Sequence, residues 1–255
     1  MTNITILSDW KLRDPYVSLF KGDIIQQVPD CQIFDITHAI DLHKIEQGAF
    51  ISKASYAHFP KGTIHLLMVG NSFSQKVKPI VMKYHDHWFI GEDTGIFQLI
   101  LGEEFYSELY QYPDQSSTSP LQKLIELIRW VQSGTIQTNG IEILNLKPAR
   151  MNQLFVNQTE KSIKGEVIYI DSQCNAVTNI PNETFHQMNK GSFVATLSSS
   201  KHLKITKKHD FYNVSEPEVY LFPNRLGFIE ITFFPGKIAI LGDIKAKDII
   251  EIKFT

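Results

Sequence analysis

The sequence predicts an α/β protein of two domains: an N-terminal α/β domain with a mainly parallel sheet, and a smaller C-terminal antiparallel β domain, either a barrel or a sandwich. Three observations predict it. Strand and helix patterns alternate over the first half of the 255 residues. Residues 133–161 are richer in Asn, Gln, Gly and Thr than the residues before them, which indicates a connecting region. Short strands separated by turn residues follow Ile163. We therefore expect domains at residues 1–155 and 156–255.

The first half alternates short β-prone runs with segments of helical periodicity. One run, residues 63–69, is almost continuously apolar, as in a strand that is covered on both faces. Asp14 followed by Pro15 is expected to cap and begin the first helix. This order predicts a parallel sheet with right-handed crossovers. The expected elements are strand 4–7, helix 15–28, strand 32–36, helix 41–56, strand 63–69, a hairpin of 77–84 with 88–90, and helices 96–101 and 121–131.

The second half has the pattern of an antiparallel β domain. Its β-prone runs are short, and turn residues separate them. The expected strands are 165–170, 192–197, 218–222, 228–232 and 248–254.

Composition excludes several classes of function. A formal net charge of −2 gives no general attraction to nucleic acid or to an anionic membrane. No apolar stretch approaches the ~20 residues that span a bilayer. The start of the chain lacks the basic and apolar regions of a signal peptide. Cys31 and Cys174 form neither a disulfide framework nor a paired metal motif. We expect a cytoplasmic protein with no metal.

His85-Asp86-His87 is the one motif with alternating histidines that resembles a metal site. Two ligands at the tip of a hairpin do not form a closed site, so we expect a solvated turn.

Open α/β sheets bind ligands beyond the carboxyl ends of their strands. The segments expected at that edge are residues 8–10, 37–43 and 70–78.

Five segments, in a consistent order and spacing, resemble those of one known family. They are 8–22, with Ser8-Asp9-Trp10 and Asp14-Pro15-Tyr16-Val17; 35–38 with 47–66; Gly91-Glu92-Asp93-Thr94-Gly95; 165–180; and Gly227-Phe228-Ile229-Glu230-Ile231. On these motifs the chain is identified as a divergent member of the family of S-adenosylmethionine (SAM) hydroxide adenosyltransferases and SAM-dependent halogenases, the chlorinases and fluorinases. The resemblance covers nearly the full chain. It implies SAM as substrate or ligand, no cofactor, and a homotrimer with the pocket at the subunit interface.

The resemblance also implies individual ligand contacts. Asp9 matches the carboxylate that holds the ribose hydroxyls, since one carboxylate accepts from both hydroxyls of a vicinal diol. Asp171 matches an acidic residue near the methionine ammonium, Asn175 the asparagine that meets adenine, and His43 a position that lines the pocket. Each has a structural alternative: Asp9 as a helix cap, Asp171 and Asn175 as a β-turn, and His43 as a solvated or capping residue.

Three further residues complete the expected ligand-binding set. Trp10 follows Asp9 in the first segment, and Asp93 lies in the segment that resembles the family's Gly-Pro-Asp-Asn-Gly turn. Arg225 stands where the family has groups that bind a carboxylate, and a guanidinium suits that task.

The match breaks where the family does its chemistry. Gly70 stands in place of the aspartate of Asp-Pro-Gly-Val-Gly-Thr, and Ser116-Ser117-Thr118-Ser119-Pro120 in place of His-Gly-Arg-Asp. The halogenase loop Tyr-Pro-Ala-Thr-Gly-Thr is also absent. No catalytic residue is assigned; the candidates are Ser72, Ser74 and Thr118, whose hydroxyls can hold a water or a halide but are weak bases.

Three hypotheses follow. The chain binds SAM or adenosine and hydrolyses SAM by attack at C5′; or it binds a nucleoside without turnover; or it is a trimeric scaffold that has lost the ligand. The retained Asp9, Asp171 and Asn175 favour ligand binding, and Gly70 leaves catalysis open.

Overall fold

The structure is a computed structural model that describes residues 1–113, 118–150, 154–200, 202–210 and 217–255. The chain divides into two compact units, Met1–Met151 and Asn152–Thr255. The expected boundary at residues 155 and 156 stays a prediction.

Unit 1 is a sheet with helices on both faces. Seven strands of the described residues pair in the order β2-β1-β3-β5-β4-β6-β7. The strands are β1 (Thr2–Ser8), β2 (Cys31–Thr37), β3 (Ile64–Met68), β4 (Ile80–Tyr84), β5 (His87–Gly91), β6 (Glu108–Gln111) and β7 (Ile141–Glu142). The helices are α1 (Tyr16–Gln27), α2 (Ile45–Ser55), α3 (Ile96–Leu101), α4 (Pro120–Gln132) and α5 (Ile136–Asn139), with a 3-10 turn at Tyr56–His58.

One part of this sheet confirms the expected parallel pairing. β1 pairs in parallel with β2 and β3, and β3 pairs in parallel with β5. The hairpin of β4 and β5 is antiparallel, as expected, and β6 and β7 extend the sheet antiparallel beyond β4. The sheet is therefore mixed.

Side chains alternate between two apolar cores, as a strand period of two requires. In β3, Ile64 and Leu66 pack in the core that includes Phe20 of α1. Leu67 packs in the other core with Ala49 of α2. All residues of β3 are buried, which confirms the prediction of a strand covered on both faces. Each such side chain contributes about 1.5–3 kcal/mol through burial.

Unit 2 is an antiparallel sheet that nearly closes into a barrel. Its strands are β8 (Phe155–Asn157), β9 (Ser162–Ile170), β10 (Ala176–Pro181), β11 (Phe193–Leu197), β12 (Lys204–Ile205), β13 (Glu218–Pro223), β14 (Phe228–Phe234) and β15 (Ile249–Phe254). The order is β12-β11-β15-β9-β10-β14-β13, with β8 beside β9. A bridge between Lys208 and Leu221 brings the two ends of the sheet together. Two short helices are α6 (Asn182–Met188) and α7 (Ile238–Leu241).

Several element boundaries differ from the expectations. α1 begins at Tyr16, and Pro15 rather than Asp14 holds the capping position, without a side-chain cap. α2 begins at Ile45, because the preceding residues form the turn that contains His43 in a left-handed conformation. The strands β6 and β10 were not expected. No helix in the described part of the chain combines the length and the apolar character needed to span a bilayer.

Candidate functional site

Three parallel strands of unit 1 end side by side. Ser8 at the end of β1 pairs with Met68 of β3, and Leu67 of β3 pairs with Gly91 at the end of β5. The residues that follow these strands therefore lie along one edge of the sheet, the carboxyl edge at which open α/β sheets bind ligands. They include Asp9 and Glu92.

The Asp9 carboxylate is buried and held by two backbone groups. Only 7% of the residue is exposed. Its Oδ2 accepts hydrogen bonds from the backbone N–H of His43 at 3.0 Å and of Gly70 at 3.1 Å. Oδ1 accepts no hydrogen bond from a residue that the structure describes. Asp9 is thus a fixed carboxylate with one oxygen left for a ligand.

Gly70 has a conformation that explains its glycine. Its φ is +69°, in the left-handed region that side chains disfavour. A Cβ atom there would lie 3.2 Å from Cγ2 of Ile45. The backbone N–H of Gly70 is the group that meets Asp9, so this position supplies a donor where the family resemblance implied an aspartate.

The loop of residues 70–78 is tied at its start to Glu92. The carboxylate of Glu92 accepts from the backbone N–H of Ser72 at 2.8 Å through Oε2, and from the Ser72 hydroxyl at 3.0 Å through Oε1. Ser72 Oγ accepts in turn from the backbone N–H of Ser74 at 3.4 Å. The Ser74 hydroxyl accepts from the backbone N–H of Lys76 at 3.3 Å.

A buried lysine of α4 ties down the far end of the same loop. Lys123 is 1% exposed, and its Nζ donates to the carbonyl oxygens of Gln75 at 2.7 Å and Val77 at 2.9 Å. The loop also covers Trp10, whose ring centroid lies 5.4 Å from that of Phe73. Charge-assisted hydrogen bonds therefore tie the loop at both ends.

A small cavity lies beneath the loop. Its volume of about 10 Å³ is close to the room that one ordered water needs. Asn71 is one of the residues that line this cavity, and its Oδ1 is buried with no hydrogen-bond partner among the described residues. The lining residues are Asn71, Phe73, Val77, Pro79, Glu92, Pro120 and Leu124.

The other residues of unit 1 that were expected to bind the ligand make hydrogen bonds within the protein. His43 is exposed and contributes its backbone N–H to Asp9. The Asp93 carboxylate accepts from the backbone N–H of Lys147 at 2.7 Å and of Gly95 at 3.4 Å, so it is used to fix backbone. Burial raises the pKa of Asp93, although these two hydrogen bonds oppose the shift.

Thr118 lies beside the side chain of Tyr112, and the hydrogen bond between them opposes the effect of burial, which raises the Tyr112 pKa. Its neighbours Ser116 and Ser117 lie outside the described residues. Nothing in the described residues brings Thr118 to Asp9.

In unit 2, Asp171 and Asn175 form the turn between β9 and β10. Asp171 Oδ1 accepts from the backbone N–H of Gln173 at 2.9 Å and of Asn175 at 2.7 Å, and Oδ2 accepts from the Asn175 amide at 3.2 Å. Asn175 Oδ1 accepts from the Thr232 hydroxyl at 2.7 Å. Both side chains therefore stabilise the turn, as the structural alternative expected. Their contacts with a ligand stay predictions.

Arg225 is exposed in the turn between β13 and β14. Its position leaves the guanidinium accessible, and its expected contact with a carboxylate stays a prediction.

The histidine motif is divided between the hairpin turn and the buried core. His85 and Asp86 are exposed at the hairpin turn, as expected, with side chains 58% and 61% exposed. His87 is buried, and its Nδ1 lies 3.1 Å from Nε2 of His65, which in turn contacts the Thr5 hydroxyl at 2.7 Å. The described residues contain no group of three or more His, Cys, Asp or Glu placed to hold a metal.

Sequence reasoning missed Glu92, Lys123 and Asn71. A signal existed for Glu92, because it replaces the proline of the family's Gly-Pro-Asp-Asn-Gly turn. Lys123 is a charged residue among the buried positions of α4. Asn71 had no such signal, because its isolation depends on the loop conformation.

Comparison with known proteins identifies the family. Residues 4–125 match the model of the SAM hydroxide adenosyltransferase N-terminal domain, and residues 165–251 match that of its C-terminal domain. The (R)-S-adenosyl-L-methionine hydrolase of Methanocaldococcus jannaschii is 22% identical over 261 residues, covering 98% of this chain and 95% of that protein. The (R)-S-adenosyl-L-methionine hydrolase of Thermus thermophilus is 25% identical over 100 residues, covering 39% of this chain and 38% of that protein.

Solved structures share the fold. A crystal structure of an uncharacterized conserved protein from Thermotoga maritima has a TM-score of 0.85 at 22% identity, covering 98% of this chain and 99% of that one. A crystal structure of a conserved hypothetical protein from Thermus thermophilus has a TM-score of 0.75 at 18% identity, covering 99% of this chain and 100% of that one. With both domain models matched in order, the chain belongs to the SAM hydroxide adenosyltransferase family.

Proposed function

We propose that this protein binds S-adenosylmethionine and hydrolyses it to adenosine and methionine. The observation that carries the proposal is the Asp9 carboxylate, fixed by two backbone N–H groups at the carboxyl edge of the sheet, with Oδ1 uncommitted. A carboxylate held in this way accepts from the hydroxyls of a ribose without reorganising. The relatives named as SAM hydrolases support SAM as the ligand.

The proposed reaction is a displacement at the 5′ carbon of SAM. The oxygen of a water forms a bond to C5′ as the bond from C5′ to sulfur breaks, and its electron pair goes to the sulfur of methionine. One proton of the water is released. Because the sulfonium is already a good leaving group, the protein has to orient the two reactants and to exclude other water. Asp9 fixes the ribose. The loop of residues 70–78 begins at Gly70, which contacts Asp9, so the start of the loop lies beside the proposed ribose site.

Residues of unit 2 are proposed to complete the ligand site in a homotrimer, at an interface between subunits. In this arrangement Asn175 meets adenine, Asp171 the methionine ammonium, and Arg225 the methionine carboxylate. The family resemblance supports this assignment, and a guanidinium is suited to a carboxylate. Light scattering of the purified protein tests the trimer, since a monomer at assay concentration would contradict it.

Calorimetric titration tests ligand binding. We expect SAM and adenosine to bind and to compete, because both present the ribose diol to Asp9. We expect 2′,3′-dideoxyadenosine to bind at least tenfold more weakly, since it leaves the carboxylate without donors. Equal affinity for adenosine and the dideoxy compound would contradict the role of Asp9.

A further inference from the structure

Ser72 and Glu92 form a hydrogen-bonded pair beside the proposed ribose site. The Ser72 hydroxyl donates to Oε1 of Glu92 at 3.0 Å, and the Ser72 backbone N–H donates to Oε2 at 2.8 Å. These two bonds fix the serine against the carboxylate. A hydroxyl has one hydrogen and two lone pairs. One lone pair accepts from the Ser74 backbone at 3.4 Å. The second remains for the proton of a water.

The pair lies within reach of the proposed reaction centre. Gly70 contacts Asp9 directly, and Ser72 is two residues further along the chain, a span of at most ~7 Å. Glu92 also lines the small cavity beneath the loop. A water on the Ser72 hydroxyl would therefore lie close to the ribose that Asp9 is proposed to bind.

From this arrangement we propose that Ser72 and Glu92 act as the proton relay that activates the attacking water. The inference rests on the proposed hydrolysis. As the water oxygen bonds to C5′ and methionine leaves, a proton of the water passes to Ser72 Oγ, and the Ser72 hydroxyl proton passes to Oε1 of Glu92. Glu92 then releases that proton to solvent. Ser72 is the catalytic residue that touches the water, and Glu92 acts through it.

The other candidate hydroxyls lack such a partner in the described structure. The Ser74 hydroxyl accepts from the backbone N–H of Lys76, and Thr118 lies beside Tyr112. A serine alone is a weak base, whereas a serine that donates to a carboxylate passes its proton on. This places the base function on Glu92, which directly follows β5, rather than on position 70.

The test compares single-turnover rates and steady-state constants of the full-length protein with SAM as substrate. Glu92→Gln keeps the size and one acceptor oxygen but takes up no proton. General-base help contributes about 10²–10⁴-fold, so we expect kcat to fall at least ~10²-fold with KM unchanged within about twofold. Ser72→Ala should show the same loss, and Ser72→Thr, which keeps a hydroxyl, should recover most of the rate. The exposed Glu103→Gln is the matched control and should keep the parent rate.

Chemical rescue separates a relay from a structural role. Glu92→Ala opens space for formate, a small carboxylate that can accept the proton of Ser72. We expect added formate to raise the kcat of this variant at least tenfold. The relay would be overturned if Glu92→Gln kept a kcat within twofold of the parent. It would also be overturned if the loss came with a higher KM and formate did not rescue Glu92→Ala. Either result would leave the proposed hydrolysis standing. A parent protein that releases no adenosine would overturn the proposed function and this inference with it.

Discussion

Oδ2 of Asp9 accepts a hydrogen bond from the backbone N–H of Gly70 at 3.1 Å. This contact joins the ends of β1 and β3, and it leaves Oδ1 without a hydrogen bond from a residue that the structure describes. It also gives position 70 a positioning role, which a glycine at φ +69° performs without strain. The glycine that replaces the aspartate of the family motif therefore has a structural role of its own.

Replacement of Asp9 by alanine should abolish ligand-induced stabilisation. A ligand at 100 times its Kd stabilises the native state by about 2.7 kcal/mol, which raises Tm by several degrees. The variant should also lose about 1–3 kcal/mol of intrinsic stability, because two backbone N–H groups lose their acceptor. Thermal melts with and without SAM check both effects. The exposed Asp14→Ala is the control, and a parent-like shift in Asp9→Ala would contradict the site.

Introducing the aspartate of the family motif at position 70 should lower the stability of the protein and its affinity for SAM. In Gly70→Asp, the left-handed φ costs about 1–2 kcal/mol, the new Cβ meets Ile45, and a second carboxylate is brought near Asp9. We expect a lower Tm and weaker SAM binding. Gly62→Asp has a similar φ of +83° but no atom within 4 Å of the new Cβ, so it isolates the backbone effect. A Gly70→Asp variant with higher activity than the parent would contradict this account.

Lys123 should hold the loop of residues 70–78 in place. In Lys123→Met, the carbonyl oxygens of Gln75 and Val77 lose a buried donor, at a cost of about 1–3 kcal/mol. We expect a lower free energy of unfolding in denaturant melts and faster hydrogen exchange in the loop. Lys76→Met, at an exposed position of the same loop, is the matched control. Unchanged exchange in Lys123→Met would show that the loop is held by other contacts.

The buried His65 should make stability depend on pH. Burial lowers its pKa to about 3, and the neighbouring His87 lowers it as well. An unfolded histidine titrates near 6.5, so the unfolded state binds the extra proton between these values. The contribution of His65 to the free energy of unfolding is therefore complete above pH 6.5. It is lost as the pH falls toward 3, at up to ~1.4 kcal/mol per pH unit.

Denaturant melts between pH 7 and pH 5 measure this loss. The variant His65→Gln, a neutral residue, should flatten the dependence relative to the parent. His58→Gln, at an exposed position, should leave it unchanged. Identical slopes for the parent and His65→Gln would refute the assignment.

The fold was accessible from the sequence wherever apolar patterning was strong. β3 is apolar except for His65, and its bounds were predicted within one residue at each end. β6 was missed because it has only four residues with polar ends. β10 was missed because its polar residues are buried: the Thr178 hydroxyl, for example, donates to the Ile229 carbonyl at 2.6 Å. Such a contact joins residues far apart in sequence and leaves no local pattern.

The candidate site divides in the same way. Asp9 follows a clear strand, so its place at the carboxyl edge could be predicted. The contacts of Glu92 with Ser72 and of Lys123 with Gln75 depend on the path of the loop, which has no apolar periodicity. The same limit holds for Asp171, whose two carboxylate oxygens both accept hydrogen bonds within its turn.

The most direct measurement is incubation of the purified protein with SAM, followed by chromatography for adenosine, methionine and halogenated adenosine. We expect equal amounts of adenosine and methionine, formed above a heat-killed control and lost in Asp9→Ala. SAM that is recovered intact, with no adenosine above the control, would contradict the proposed hydrolysis.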